Sequence, residues 1–439
     1  MKKTLITIVV VFMLAGIVLA GCAPAPEVIT ETIIETVVVK EEVEVPVAAE
    51  PEPVTLTYFT FSAAPDHLED LDEMIAIFES ENPNISIEVV TATYDDYFTK
   101  LQTLIAGGEA PDVFELNYEN FVSYAAKGVL LNIDKYAQAD ETYDASVYYP
   151  RSLQAFQYNG MQLGMPETFS TVVLYYNKDA FDAAGLDYPA ADWTWTDATV
   201  AAKAVMAANE GMWGLHSGIQ FWEFYKKAAQ HNCQFFNEDM TEVLINTLEC
   251  VAAVETMVGF LDEGIMPTSE EMAGVSDGDM FVNGELGMLV SGIWMYTAFA
   301  DAPFSWDIQV EPGAEVQATH FFANAVNVFA GTQHPEAAYQ WVKFFTSDPR
   351  MADIRISTGW ELPTLSNPEY VAGYLEQSPP DNRQAVFDSL QYSIVPPVIE
   401  RANEMIDAIQ AALDQVVLGL QTPQEALDGA KLEIEALLP

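Results

Sequence analysis

The 439-residue chain carries 66 acidic against 17 basic residues, a formal charge of −49, with 50% hydrophobic and 12% aromatic content. That apolar fraction argues for packed cores, and the length is enough for two or three domains. The charge repels polyanions and anionic headgroups, which excludes nucleic-acid binding and leaves high solubility as the plainest reading of the surface.

Lys2 and Lys3 precede an unbroken apolar run from Leu5 to Leu19, which ends in Leu19-Ala20-Gly21-Cys22. A basic start, a short apolar core and small residues describe a secretion signal, too short for a comfortable membrane span. The last four residues resemble the lipobox of bacterial lipoproteins. That resemblance implies a signal peptide over 1–21 and a Cys22 that becomes the mature N-terminus, thioether-linked to diacylglycerol. The alternative is an ordinary signal peptide ending near a cysteine. Two or more acyl chains anchor stably where one does not, so the mature chain is expected outside the cell, on the outer face of the cell membrane. Losing Lys2 and Lys3 leaves 15 bases against 66 acids, a net charge of −51. Residues 22–53 then form a linker rich in Glu, Val and Pro, whose like charges and prolines favour an extended acidic tether. A short strand or coiled segment over "VITETIIETVVV" is the competing reading.

From residue 54 strand and helix patterns alternate. "VTLTYFTF" reads as a strand, and "HLEDLDEMIAIFES" sets Leu68, Leu71, Ile75 and Phe78 on one helical face. "ISIEVVT" alternates as a second strand. "DYFTKLQTLIAGG" ends its helix at Gly107 and Gly108, and a turn at Pro111 leads to a third strand. This repetition predicts a mostly parallel sheet covered by helices, an α/β fold. Cys233 and Cys250, an exported pair, are a candidate disulfide, with two buried free thiols as the alternative. In "PEAAYQWVKFFTSD", Ala338, Trp341, Val342 and Phe345 share one face, and packing is the expected role of Trp341. The last helix opens on Thr422-Pro423-Gln424-Glu425, a capping box with proline at the first helical position.

Catalytic apparatus is sparse. His-Glu-x-x-His, Gly-x-Ser-x-Gly, P-loop and Gly-x-Gly-x-x-Gly patterns are absent, and the five histidines lack metal-ligand spacing, so no metal or cofactor is expected. Paired carboxylates could serve a glycosidase, but in so acidic a chain a chance pair carries little information.

Three stretches carry a family resemblance: "FESENPNISIEVVTATYDDYFTKLQTLIAGGEAPDVFEL", "GMPETFSTVVLYYNKDAFDAAGLDYPAADWTWTDATVAAK", and "FVNGELGMLVSGIWMY" with the later "HPEAAYQWVKFF" and "TGWELPTL". Together they resemble the family 1 extracellular solute-binding proteins of ABC importers, the sugar-binding group that includes maltose-binding protein. The resemblance spans essentially the whole chain after residue 54. It implies a periplasmic-binding-protein-like fold of two α/β lobes, a multi-strand hinge and a ligand cleft between them. By analogy one lobe comprises 54–168 plus 322–378 and the other 169–321 plus 379–439, the chain crossing near Thr168–Val172, Phe321–Asn327 and Tyr374–Gln384. The implied activity is binding without catalysis, by a monomer that delivers its solute to ABC permease transmembrane subunits.

Ligands of open α/β sheets collect beyond the carboxyl ends of strands. That rule and the resemblance select Phe61, Ser62 and Asp66 after the first strand, Asn117 and Tyr118 after the third, and Glu167 and Thr168 at the hinge entrance. They also select Trp294, Asn324, Trp360 and Glu361, and an aromatic group of Trp213, Gln220 and Trp222. Glu167 could equally pair locally. Rings that cover C–H faces and amides or carboxylates that meet hydroxyls suit a sugar. None of these segments contains Lys or Arg, which a carboxylate or phosphate ligand would require. A neutral mono- or oligosaccharide is the expected ligand. The alternatives are a cationic solute such as a polyamine or quaternary amine, an anchored glycoside hydrolase, and a structural surface protein.

Overall fold

A computed structural model describes residues 52–61, 65–358 and 362–438. The signal peptide, Cys22, the linker up to Pro51, Ser62, Trp360 and Glu361 lie outside the described residues.

The first third of the body follows the alternating pattern. β1 (Val54–Thr60), α1 (Pro65–Glu81), β2 (Ile85–Thr91), α2 (Tyr94–Gly107), β3 (Val113–Asn117) and α3 (Tyr118–Ala126) succeed one another. β1 pairs in parallel with β2 from Val54↔Ile85 to Thr60↔Thr91, and with β3 at Tyr58↔Val113 and Phe59↔Phe114. α2 stops because Gly108 adopts φ +76°, where a Cβ would be strained, and its N–H returns to the carbonyl of Ile105. Leu71, Met74, Ile75 and Phe78 of α1 are buried against Trp341, which is fully enclosed with Tyr58, Phe78 and Phe345 around it.

Beyond β3 the sheet departs from the parallel expectation. β4 (Gln157–Tyr158) and β5 (Met161–Gln162) form a small hairpin. β6 (Met165–Asn177), β7 (Met288–Gly292), β8 (Trp306–Val310), β9 (Thr319–Val328), β10 (Leu362–Pro363) and β11 (Ser393–Ile394) join β1–β3 in one nine-stranded sheet. β6 runs antiparallel to β7, β8, β9 and β10, and β9 antiparallel to β3, so parallel pairing is confined to β1–β2, β1–β3 and β9–β11. The physical reason is separation along the chain. A strand–helix–strand unit imposes parallel order only on strands that it joins directly, whereas β6 and β9 meet across about 150 residues.

β6 organises the molecule. Met165–Thr171 pairs with β9, while Val172–Tyr176 pairs with β7 on one edge and Val173–Asn177 with β8 on the other. One strand of about 43 Å thus belongs to two parts of the sheet. A separate core is built largely from helices. Cys233, just past the helix Phe221–Gln230, is bonded to Cys250 in the helix Leu248–Asp262, with Cα atoms 5.0 Å apart. The helices Ala402–Val417 and Pro423–Glu435 pack on this core. At the start of the last helix Thr422 accepts from Glu425 N–H and the Glu425 carboxylate receives the Thr422 N–H. Thr422→Ala is expected to cost about 1 kcal/mol, read as a lower urea midpoint at constant slope. An unchanged midpoint would remove the cap from the account.

Candidate functional site

Side chains alternate across a strand, so His320, Phe322 and Asn324 of β9 stand in a row on one face. Phe322 and Asn324 are the two residues of β9 that are not fully buried, which marks the accessible end of the row. Trp294, in the short turn after β7, sets its ring edge-on to Phe322 with centroids 5.2 Å apart, and Trp222 approaches the same ring at 6.1 Å. Asn324 lies opposite Asn117 in the β3–β9 ladder, and its amide donates to Thr168 Oγ1 at 3.3 Å. Asn117 donates in turn to the Tyr94 hydroxyl at 2.9 Å and accepts from the Asn120 N–H, capping α3. Phe61, directly after β1, turns its ring edge against Tyr94 at 5.3 Å.

The structure therefore brings Phe61, Asn117, Thr168, Trp222, Trp294 and Asn324 onto one continuous track, with Tyr118 beside Asn117 at the start of α3. Trp294 is 42% and Tyr94 52% exposed, which is unusual for rings of this size. Asp66 opens α1, its side chain outside the description.

Glu167 is placed differently. It is 5% exposed, and its Oε1 accepts from Arg355 Nη2 at 2.7 Å, the guanidinium lying over Phe345. Burial lifts its carboxyl pKa despite the pull of Arg355. Trp213 is held in a separate bridge, its N–H donating to the Glu285 carbonyl and its own carbonyl accepting from Gly287. Gln220 precedes the helix Phe221–Gln230.

Sequence reasoning missed Tyr94, His320, Phe322 and Glu119. Tyr94 follows the carboxyl end of β2, the same signal that selected Phe61 and Asn117. His320 and Phe322 share the period-2 register of Asn324 in "THFFANAV". Glu119, in the first turn of α3, offered no local signal. It is 6% exposed, and its Oε1 lies 3.3 Å from His320 Nε2. The other ring nitrogen of His320 shares a hydrogen bond with the Tyr225 hydroxyl. Burial raises the Glu119 carboxyl to about 7, and burial with Lys226 nearby pushes His320 well below its ordinary value.

Two buried lysines near the track are neutralised. Lys226 contacts Glu223 at 2.8 Å and Glu311 at 2.9 Å, and Lys227 contacts Glu223 at 3.1 Å. Among the described residues no group of three or more His, Cys, Asp or Glu is placed to hold a metal ion, and no helix is long and apolar enough to cross a membrane. The arrangement offers flat apolar rings flanked by amides and hydroxyls, suited to grip a flat solute with a polar rim.

The family model for bacterial extracellular solute-binding proteins matches residues 64–352. The chain belongs to this family. This solute-binding protein is 22% identical over 372 residues to the galactooligosaccharide-binding protein of Bacillus subtilis, covering 82% of this chain and 84% of that one. It is 22% identical over 365 residues to the maltotriose-binding protein of Pyrococcus abyssi, covering 80% and 74%. Its fold superposes with TM-score 0.83 and 44% identity on an ABC substrate-binding protein of Listeria monocytogenes in complex with cycloalternan, covering 88% of this chain and 99% of that one. Such neighbours have two lobes, and the mixed α/β sheet of this solute-binding protein, with β6 shared between its two parts, is that architecture. The family is one of extracellular binding proteins.

Proposed function

We propose that this protein captures a neutral mono- or oligosaccharide between its lobes and delivers it to the permease subunits of an ABC importer, from an anchor at lipidated Cys22. The observation that carries the reading is the track itself: Trp222, Phe322 and Trp294 supply faces for pyranose C–H groups, and Asn117 and Asn324 supply the hydroxyl partners, with the fully buried Thr168 hydroxyl holding the Asn324 amide. Phe61, Tyr94 and Tyr118 extend it. Ser62, Asp66, Trp360 and Glu361 join on the family resemblance, while Glu167 is committed to Arg355. The pairing of nearby lysines with carboxylates disfavours an anionic ligand. That known relatives are named for galactooligosaccharide and maltotriose supports the same class.

In this reading residues 54–168 with 322–378 form one lobe, and 169–321 with 379–439 the other. Ligand that touches both favours the closed arrangement, and a tether keeps the loaded receptor at high local concentration near the permease. The test is a thermal-shift screen of the mature chain against neutral saccharides, polyamines and amino acids. A saccharide at ten times its Kd should add about 1.4 kcal/mol of stability without turnover. Stabilisation by a polyamine alone, or release of hydrolysed sugar, would overturn the proposal.

A further inference from the structure

β6 and β9, which make two of the three crossings, hydrogen-bond to each other, so a backbone ladder fixes their course. The third crossing, residues 376–383, is neither helix nor strand, and Pro379 and Pro380 have no N–H to offer a ladder. Side chains hold it instead. Gln377 Nε2 donates to the Ile356 carbonyl at 2.8 Å, while Asn382 donates through its backbone to Asp307 Oδ1 at 2.9 Å and through its amide to the Ile308 carbonyl at 3.1 Å. Arg383 folds the segment back on itself, Nε donating to the Gln377 carbonyl and Nη2 to the Pro379 carbonyl, each at 3.0 Å.

The same guanidinium reaches two rings. It lies 4.8 Å from the Tyr296 centroid and 4.6 Å from that of Tyr374, and the Tyr374 hydroxyl donates to the Tyr296 hydroxyl at 3.2 Å. All three side chains are buried, where a cation over a ring face is held more strongly than in water. Tyr296 directly continues the turn Ile293–Met295 that carries Trp294. The other end of that turn is tied as well, because the Tyr175 hydroxyl donates to the Gly292 carbonyl at 2.7 Å. The indole therefore stands on a turn fastened at both ends through buried tyrosines, and Arg383 grips one of them.

We propose that Arg383 is a positioning residue for saccharide capture, coupling the third crossing between the lobes to the turn that places Trp294. The inference rests on the carbohydrate reading of the track. In the lobe division proposed above, Ile356 and Tyr374 belong to one lobe and Tyr296, Asp307 and Arg383 to the other. A lobe rotation that shifts the crossing moves the guanidinium, and Tyr296 carries that movement to the indole. Conversely, a sugar seated on Trp294 favours the lobe arrangement in which the crossing holds the turn in place. Arg383 is 5% exposed, so it acts through Tyr296 rather than by meeting the ligand. Lysine cannot replace it fully, because only the planar fork covers a ring and reaches two carbonyls at once.

The experiment is calorimetric titration of the mature chain with maltotriose and with galactooligosaccharides, in the wild-type and Trp294→Ala backgrounds. Arg383→Met keeps the stem but removes the planar cation, and should raise Kd about fivefold for each saccharide that binds. Arg383→Lys keeps the charge without the fork and should recover part of that loss. In the Trp294→Ala background Arg383→Met should add less than about twofold, because both changes act through one indole. A merely structural role would lower the melting temperature and still add its full factor there. Tyr374→Phe removes only the hydroxyl bond to Tyr296 and serves if Arg383→Met fails to fold. It should weaken binding about twofold, again only while Trp294 is present. Wild-type Kd in the folded variants, or an undiminished loss in the Trp294→Ala background, overturns the positioning role and leaves the track reading standing. Absence of heat with every saccharide overturns the track reading and the positioning role with it.

Discussion

Lys226→Met is expected to destabilise the protein by about 3–5 kcal/mol, the cost of stranding a buried charge. Lys226 and Lys227 are both fully buried, and Glu223 and Glu311 are the carboxylates that neutralise them. Glu311 also accepts from Thr319 Oγ1 at 2.9 Å, and Lys227 donates to Ser217 Oγ at 3.0 Å and lies 4.0 Å from the Trp195 ring centroid. The cluster ties the helix Phe221–Gln230, which presents Trp222, to the ends of β8 and β9. Methionine fills the stem volume of lysine but leaves two carboxylates facing one ammonium. Lys226→Met/Glu311→Leu removes one charge of each sign and should recover much of the loss, and Thr319 Oγ1 keeps the Val172 carbonyl, at 2.8 Å, as its acceptor. A single variant within 1 kcal/mol of wild type in urea unfolding would show that the cluster is not paired as described.

The same cluster sets an acid limit. Burial alone would raise Glu223, but the two ammonium groups outweigh it and hold the carboxyl at about 2. A carboxyl whose folded value lies below its unfolded value of about 4.3 contributes stability that is complete above roughly pH 4.5 and is lost as pH falls toward 2. Lys226→Met removes one of the two ammonium groups, so Glu223 should take up its proton at higher pH. The acid-unfolding midpoint of the variant should therefore shift upward.

Much of the fold was legible locally. The spacing of Leu71, Ile75 and Phe78 marked the buried face of α1, the helix spacing of Trp341 assigned it to the core, and Thr422 with Glu425 marked a helix start. These signals lie within a few residues, where backbone periodicity dictates which side chains share a face. Strand direction was not legible, because β6 finds β9 rather than a neighbour joined by one helix. Nor were the charge pairings, since Glu167 meets Arg355 188 residues away and Lys226 meets Glu311 85 residues away. The site was half legible. Strand-end positions could be selected from the sequence, whereas His320 and Phe322, inside β9, become cleft candidates only once Asn324 is known to face outward and its alternation is followed back.

Trp294→Ala should raise the Kd of the bound saccharide about a hundredfold, near 2.7 kcal/mol, the loss expected for a central aromatic anchor. The unliganded fold should lose little, because the indole is already 42% exposed and its described ring contact is the edge of Phe322. Gly292 supplies an independent check on the same platform. A Cβ placed there would fall inside the Trp294 ring, so the glycine is what lets the indole lie back over the end of β7. Its φ of −86° is open to any residue, so Gly292→Ala adds a methyl without backbone strain and its effect is steric alone. The half-exposed ring should swing away, weakening saccharide binding in the same direction as Trp294→Ala but by less. Combining the two substitutions should add nothing to Trp294→Ala, since both act through one ring. If each single variant binds as tightly as wild type, the indole is not a platform for the ligand. If Gly292→Ala weakens binding further in the Trp294→Ala background, the glycine acts on some contact other than this ring.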